Sequence, residues 1–130
     1  MIMPDEINLT YVHAEIKTIF VHYEAALVSN DVEKLDRFFW QSELVVRFGV
    51  AENLYGIAAI RAFRNARNSS ALARTLSNTV ITSYGTNFAT TTTEYIRENQ
   101  PVGRQSQTWV KLPEGWRIVS AHVSLIQAHT

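Results

Sequence analysis

The chain has 130 residues, 46% of them hydrophobic, and a formal net charge of zero at neutral pH. That suits one soluble domain with a single core and argues against nucleic acid or an anionic membrane as partner. With no cysteine, no basic and apolar leader in Met1-Ile2-Met3-Pro4-Asp5-Glu6, and no apolar run of membrane-spanning length, disulfide and thiolate chemistry are excluded and a cytoplasmic protein is expected.

Pro4-Asp5-Glu6 is expected to open the first helix, because proline suits a first helical turn and acids there favour the dipole. Ile16, Phe20, Tyr23 and Leu27 recur along one helix face. Tyr23 is therefore aimed inward, and its hydroxyl needs a partner. His13 and His22 fall on opposite sides of this helix and cannot chelate one metal. Asn30 as N-cap, with Glu33 at the third helical position, resembles a capping box for a second helix. Val32, Leu35 and Phe39 form its buried face.

Glu43 to Gly49 reads as a strand. Arg47 lies inside its apolar run of Leu44, Val45, Val46 and Phe48, either exposed on an edge strand or aimed into a pocket. Gly49 to Gly56 reads as an irregular loop. Ile57 to Asn68 reads as a third helix, with Ile60 and Phe63 on its core side and Arg64 at the edge of that stripe. After a loop at Asn68-Ser69-Ser70, Ala73 to Tyr84 and Phe88 to Arg97 are β-rich runs around a Gly85-Thr86-Asn87 turn. Thr90 to Thr93 favour strand over helix.

Gly103 to Leu112 and Trp116 to Leu125 flank Pro113-Glu114-Gly115, a hairpin signal. Strand alternation puts Gln105, Gln107 and Trp109 on one face. It puts Trp116, Ile118, Ser120, His122 and Ser124 on one face of the last strand. Large apolar groups mixed with amides, hydroxyls and an imidazole suit the wall of a half-buried pocket. The order α, α, β, α, β, β, β, β gives an α+β fold, one domain over 1–130. Its last four strands form an antiparallel meander covered on one face by helices.

Charge is unevenly spread. Between Glu52 and Glu94 there is no acid, yet Arg61, Arg64, Arg67 and Arg74 lie there. Arginine's planar fork suits carboxylates. These arginines pair with the acid-rich first helices, meet an anionic ligand, or do both.

The ending Trp116-x-Ile118-Val119-x-x-His122-x-Ser124, with the Tyr55-Gly56 turn before the third helix, resembles the SnoaL-like branch of the nuclear-transport-factor-2-like superfamily. That resemblance implies a cone-like, cystatin-like fold: a bent antiparallel sheet packed on three N-terminal helices, with a pocket at the open end. It also implies a homodimer, expected here through the outer sheet face at Phe88 to Arg97 and Arg104 to Leu112. The blocks Val46-Arg-Phe-Gly-Val-Ala-Glu-Asn-Leu-Tyr-Gly56, Ala62-Phe-Arg64 and Gly103-Arg-Gln-Ser-Gln-Thr-Trp-Val110 resemble the oxalurate-catabolism (HpxZ-like) family. That family includes the AtzH-type protein of cyanuric acid breakdown.

The activity implied is cofactor-free decarboxylation of 1,3-dicarboxyurea to allophanate, or of a related ureide-pathway acid. A carboxylate on a urea nitrogen leaves as carbon dioxide most easily when that nitrogen gains a proton. The resemblance makes Tyr23 the proton donor and Arg47 a two-pronged carboxylate binder. Substrate contacts are expected from Asn53, Gln105, Gln107 and His122, with Arg64 or Arg74 on the second carboxylate. Trp40, Glu52 and Trp109 complete the expected pocket. No metal site is expected, because no histidine or carboxylate set has ligand spacing. Only Glu43 shares the parity of Arg47 within its strand, so Arg47 is expected to meet Tyr23 across the pocket and to draw its counter-charge from a bound carboxylate. The alternative is a non-catalytic ligand-binding or assembly module on the same fold.

Overall fold

In the computed structural model, which describes residues 1–68 and 72–127, a short 3-10 turn (Pro4–Glu6) precedes α1 (Thr10–Val28) and α2 (Val32–Phe38). The turn does not open α1 as expected. Asn8 intervenes in the left-handed region at φ 57°, which asparagine tolerates better than most residues. There it exchanges two hydrogen bonds of 2.9 Å with the backbone of Ser83, so the entering chain is tied to the sheet. Asn30 is also left-handed (φ 52°), and the N-cap of α2 is Asp31, whose carboxylate accepts from the Lys34 N–H at 3.2 Å. The asparagine bends the chain and the aspartate caps it.

The chain then forms β1 (Val46–Phe48), β2 (Asn53–Tyr55), α3 (Ile57–Ala66), β3 (Thr75–Tyr84), β4 (Phe88–Ile96), β5 (Gly103–Leu112) and β6 (Gly115–Leu125). The segment expected to be an irregular loop thus contains β2, paired antiparallel with β1. The expected loop at 68–70 falls, beyond Asn68, outside the described residues. The sheet order is β2-β1-β6-β5-β4-β3. The meander β3 to β6 is antiparallel, but β1 lies parallel to β6, so the sheet is mixed. Among the described residues no helix is long and apolar enough to cross a membrane.

The helices pack their apolar stripes on one sheet face. Val12, Ile16, Phe20, Tyr23 and Leu27 of α1, Leu35 of α2 and Ile60 of α3 are buried there. Trp109 of β5 is fully buried, with its ring edge-to-face with Tyr23 at 6.3 Å. Its Nε1–H donates to Thr91 Oγ1 (3.1 Å), which donates to Gln107 Oε1 (3.0 Å). These three buried polar groups are tolerable because each finds a partner. Truncating Trp109 to alanine costs roughly 3–5 kcal/mol on the usual scale for a buried aromatic.

Two irregularities bend the sheet. In β3 the register shifts between Ser77 and Val80, around left-handed Asn78. In β6, Thr108 faces Ser120 while Trp109 faces Ile118, which leaves Val119 unmatched as a bulge. A bulge adds one residue and reverses the alternation beyond it. Trp116 and Ile118 point inward before it, and Ala121 is buried after it. Ser120, His122 and Ser124 therefore do not share the inner face with Trp116.

Glu15 fastens α1 to the β5–β6 hairpin. Its carboxylate accepts from Trp116 Nε1 at 2.6 Å and pairs with Lys111 Nζ at 3.0 Å. The hydrogen bonds from Lys111 and then Trp116 hold its carboxyl below the usual glutamate value. A carboxyl held low in the folded state stabilises it above the unfolded value, and that gain fades as pH falls through the folded value. Glu15→Gln should therefore lower the melting temperature at pH 7 and make a smaller difference near pH 3, read by thermal unfolding at both.

Candidate functional site

Five arginines converge on one small cavity between the helices and the open end of the sheet. α1 supplies Tyr23 and Leu27, β1 supplies Arg47, and α3 supplies Arg64, followed just past its end by Arg67. Arg74 enters immediately before β3. Tyr95 and Arg97 come from β4 and its end, Gln105 from β5 and Val123 from β6. The cavity measures about 20 Å³.

Local sequence explains these directions. Ile57, Ile60 and Arg64 form one helical stripe, so Arg64 stands within the buried face of α3, where an apolar residue would be ordinary. It is 2% exposed. Inward alternation along β4 runs through Ala89, Thr91, Thr93 and Tyr95 and delivers Arg97 to the same side. Tyr95 faces Gly103 across the β4–β5 pair. A side chain at Gly103 would overlap the Tyr95 ring, so glycine is what lets that ring lie across the strand.

The guanidiniums are spread over three rings, with Arg64 also 5.9 Å from the centre of Phe39. Arg47, Arg64 and Arg67 lie 5.0, 6.0 and 5.9 Å from the centre of Phe63. Arg74 and Arg97 lie 4.6 and 5.1 Å from the centre of Tyr95. Aromatic faces attract cations at these distances. Carboxylates compensate two of the five. Glu52 meets Arg47 at 3.0 Å, and Glu24 grips Arg74 with bonds of 2.8 and 2.6 Å, while Arg74 also donates to Gln105 Oε1 at 3.0 Å. Arg64, Arg67 and Arg97 have no ion pair among the described residues. Arg64 donates from Nη2 to the Tyr23 hydroxyl oxygen at 3.1 Å. Its Nε and Nη1, Arg97 Nε and Gln105 Nε2 are buried without a hydrogen-bond partner there.

This crowding marks the ionisation of the group. Burial, then the charge of Arg64, pushes Arg67 down to about 10. Burial first, then neighbouring arginines, push Arg64 and Arg97 down as well, with Tyr23 and Tyr95 acting the other way. All stay protonated at neutral pH, because guanidinium starts from so high a value. The folded state therefore carries concentrated positive charge that an anion would relieve.

The expected site residues divide clearly. Tyr23, Arg47, Arg64, Arg74 and Gln105 meet at the cavity, and Glu52 reaches it through Arg47. Arg47 is only 6% exposed. Its counter-charge is Glu52, from the turn before β2; it shares the cavity lining with Tyr23, whose hydroxyl oxygen accepts its hydrogen bond from Arg64. The turn folds Glu52 back over Gly49, where a side chain would overlap the carboxylate. Gln107 and Trp109 belong to the buried hydrogen-bonded core. Trp40 packs against the core from the rim, its backbone N–H bonded to Ile118 O. Asn53 is exposed on β2. His122 lies on the outer face against Phe48, at 5.8 Å, because of the bulge. In the acid-free segment, Arg61 pairs with Asp36 and Arg74 with Glu24, whereas Arg64 and Arg67 face the cavity.

A family model described as AtzH-like matches residues 5–129. The chain belongs to the AtzH-like family. A protein of unknown function from Pectobacterium atrosepticum is 54% identical, with a TM-score of 0.96 over 98% of this chain and 100% of its own. A cystatin-like fold protein from Burkholderia xenovorans is 45% identical, with a TM-score of 0.90 over 95% of this chain and 98% of its own. A nuclear-transport-factor-2-like superfamily protein from Salmonella enterica shares the fold at 24% identity, with a TM-score of 0.74 over 93% of this chain and 95% of its own. No curated protein matches. The fold of this AtzH-like chain is thus cystatin-like, with three helices on an open, mixed six-stranded sheet.

If the crowded arginines are uncompensated, removing one should stabilise the free protein. Arg67→Gln is expected to raise the melting temperature by a few degrees and to shrink the stabilisation that malonate gives, both measured by thermal unfolding with and without malonate.

Proposed function

We propose that this chain is a small decarboxylase acting on a urea-type dicarboxylate, 1,3-dicarboxyurea going to allophanate, or on a related ureide-pathway acid. The observation that carries this reading is three guanidiniums without carboxylate partners among the described residues, beside a buried phenol, in one cavity. Arg64, Arg67 and Arg97 supply charge for an anionic ligand, and Arg47 and Arg74 add field from behind their carboxylates. Gln105 offers its unpartnered Nε2–H to a carbonyl or carboxylate oxygen.

The chemistry needs one proton. When the substrate nitrogen is protonated, the C–N bond breaks, its electron pair stays on nitrogen, and carbon dioxide leaves neutral. Tyr23 is the donor in this scheme. Arg64 donates to its oxygen, so the phenolic O–H is left to point elsewhere. The arginines alone do not accelerate the reaction, since they also stabilise the carboxylate being lost. Uniform binding lowers KM without raising kcat. Rate must come from the proton, and affinity from the arginines.

That division is testable with 1,3-dicarboxyurea. Tyr23→Phe should lower kcat by about 10²–10⁴-fold and leave KM near the parent value. Arg47→Gln should raise KM far more than it changes kcat. Turnover of Tyr23→Phe at the parent rate would overturn the proton assignment. A purely binding module would hold malonate and release no carbon dioxide in any variant.

The same reading extends to assembly. We propose a homodimer through the outer sheet face, where Thr92, Arg104, Ser106 and His122 lie exposed. Light scattering at micromolar concentration should give twice the chain mass, and a monomer would refute it.

A further inference from the structure

A second, larger chamber adjoins the arginine cavity. Val50, Ala73, Tyr95, Arg97, Glu98, Gln100 and Leu125 line it, and it measures about 380 Å³. Tyr95 and Arg97 belong to both spaces. Inward alternation along β6 gives Val123 to the inner cavity and Leu125 to the outer chamber, so the two lie in succession along one strand.

The sizes decide how a ligand sits. A cavity needs roughly 10–15 Å³ on this measure to hold one water. The inner space of about 20 Å³ therefore admits a carboxylate head and excludes a whole dicarboxylate. The rest of the ligand must lie in the outer chamber. Arg97 stands at the junction, with no ion pair among the described residues and its Nε buried without a partner. Tyr95 braces it from the ring face at 5.1 Å. The other charged group lining the chamber is Glu98, exposed at its edge, which repels an anion from that side and favours the Arg97 side.

We propose that the ligand straddles both chambers, with one carboxylate held inside by Arg64 and Gln105 and a second anionic group held by Arg97. The outer chamber is then the specificity site. It selects linear dicarboxylates with an amide- or urea-like span, and its volume accommodates acids longer than malonate. This rests on the dicarboxylate reading above but concerns binding alone.

The test compares succinate with succinamate, which has the same length but a neutral amide in place of one carboxylate. Calorimetry on the full chain should show succinate binding at least about tenfold more tightly, the scale of one charge-assisted pair. Arg97→Gln should erase that preference while succinamate affinity stays within about twofold. Arg97→Lys, which keeps the charge without the fork, should retain part of it. The proposal is overturned if Arg97→Gln keeps the parent preference or weakens both ligands equally. Absence of binding by either acid to the parent protein would overturn the dicarboxylate reading itself. A succinate preference that depends on Arg97, in a protein whose Tyr23→Phe variant turns over normally, would uphold this site and remove only the proton assignment.

Discussion

Arg64, Arg67 and Arg97 share one cavity with no carboxylate partner among the described residues, and the surrounding structure is arranged to tolerate them. Withdrawing a charge from water costs several kcal/mol when nothing replaces the hydration. Here the replacements are partial. Phe63 presents its ring to three guanidiniums and Tyr95 to two. The Tyr23 hydroxyl oxygen takes one N–H of Arg64. Glu24 and Glu52 neutralise two of the five charges. The remainder is uncompensated positive charge at the cavity, and it is this charge that the proposed anionic ligand would offset.

Backbone devices hold this arrangement open. Gly103 gives the Tyr95 ring its place, and that ring sets the positions of Arg74 and Arg97. Gly49 gives the Glu52 carboxylate its path back to Arg47. The β6 bulge turns His122 outward and brings Val123 inward, so the wall there is apolar instead of titratable. Each device costs some local regularity, and each acts on a side chain at the cavity.

Most of the fold was legible in the sequence. The stripe ending in Tyr23 and Leu27, the alternation of Gln105 and Trp109, and the meander of the last four strands follow from periodicity alone. Sequence reasoning went astray where one residue changed the phase. Val119 reversed the parity of β6 and with it the role of His122. Asn8 and Asn30, both left-handed, displaced the two helix starts. β2 was too short to leave a periodic signal, and its turn hid the partner of Arg47. Arg97 was readable in principle, since parity carries inward from Thr91 through Thr93 and Tyr95. Its signal is masked because it lies outside the acid-free segment where Arg64, Arg67 and Arg74 cluster.

In the proposed decarboxylation, the charge balance also bears on turnover. A dianion entering between Arg64 and Arg97 offsets two of the three uncompensated charges. Loss of carbon dioxide leaves a monoanion, so one guanidinium is exposed again and the product is held by one charge-assisted pair fewer. A hydrogen bond to a charged group contributes about 1.5–3 kcal/mol. The product should therefore bind about ten- to a hundredfold more weakly than the substrate, since each 1.4 kcal/mol is a factor of ten. In that scheme the uncompensated charge that would capture a dianion also favours release of the monoanionic product.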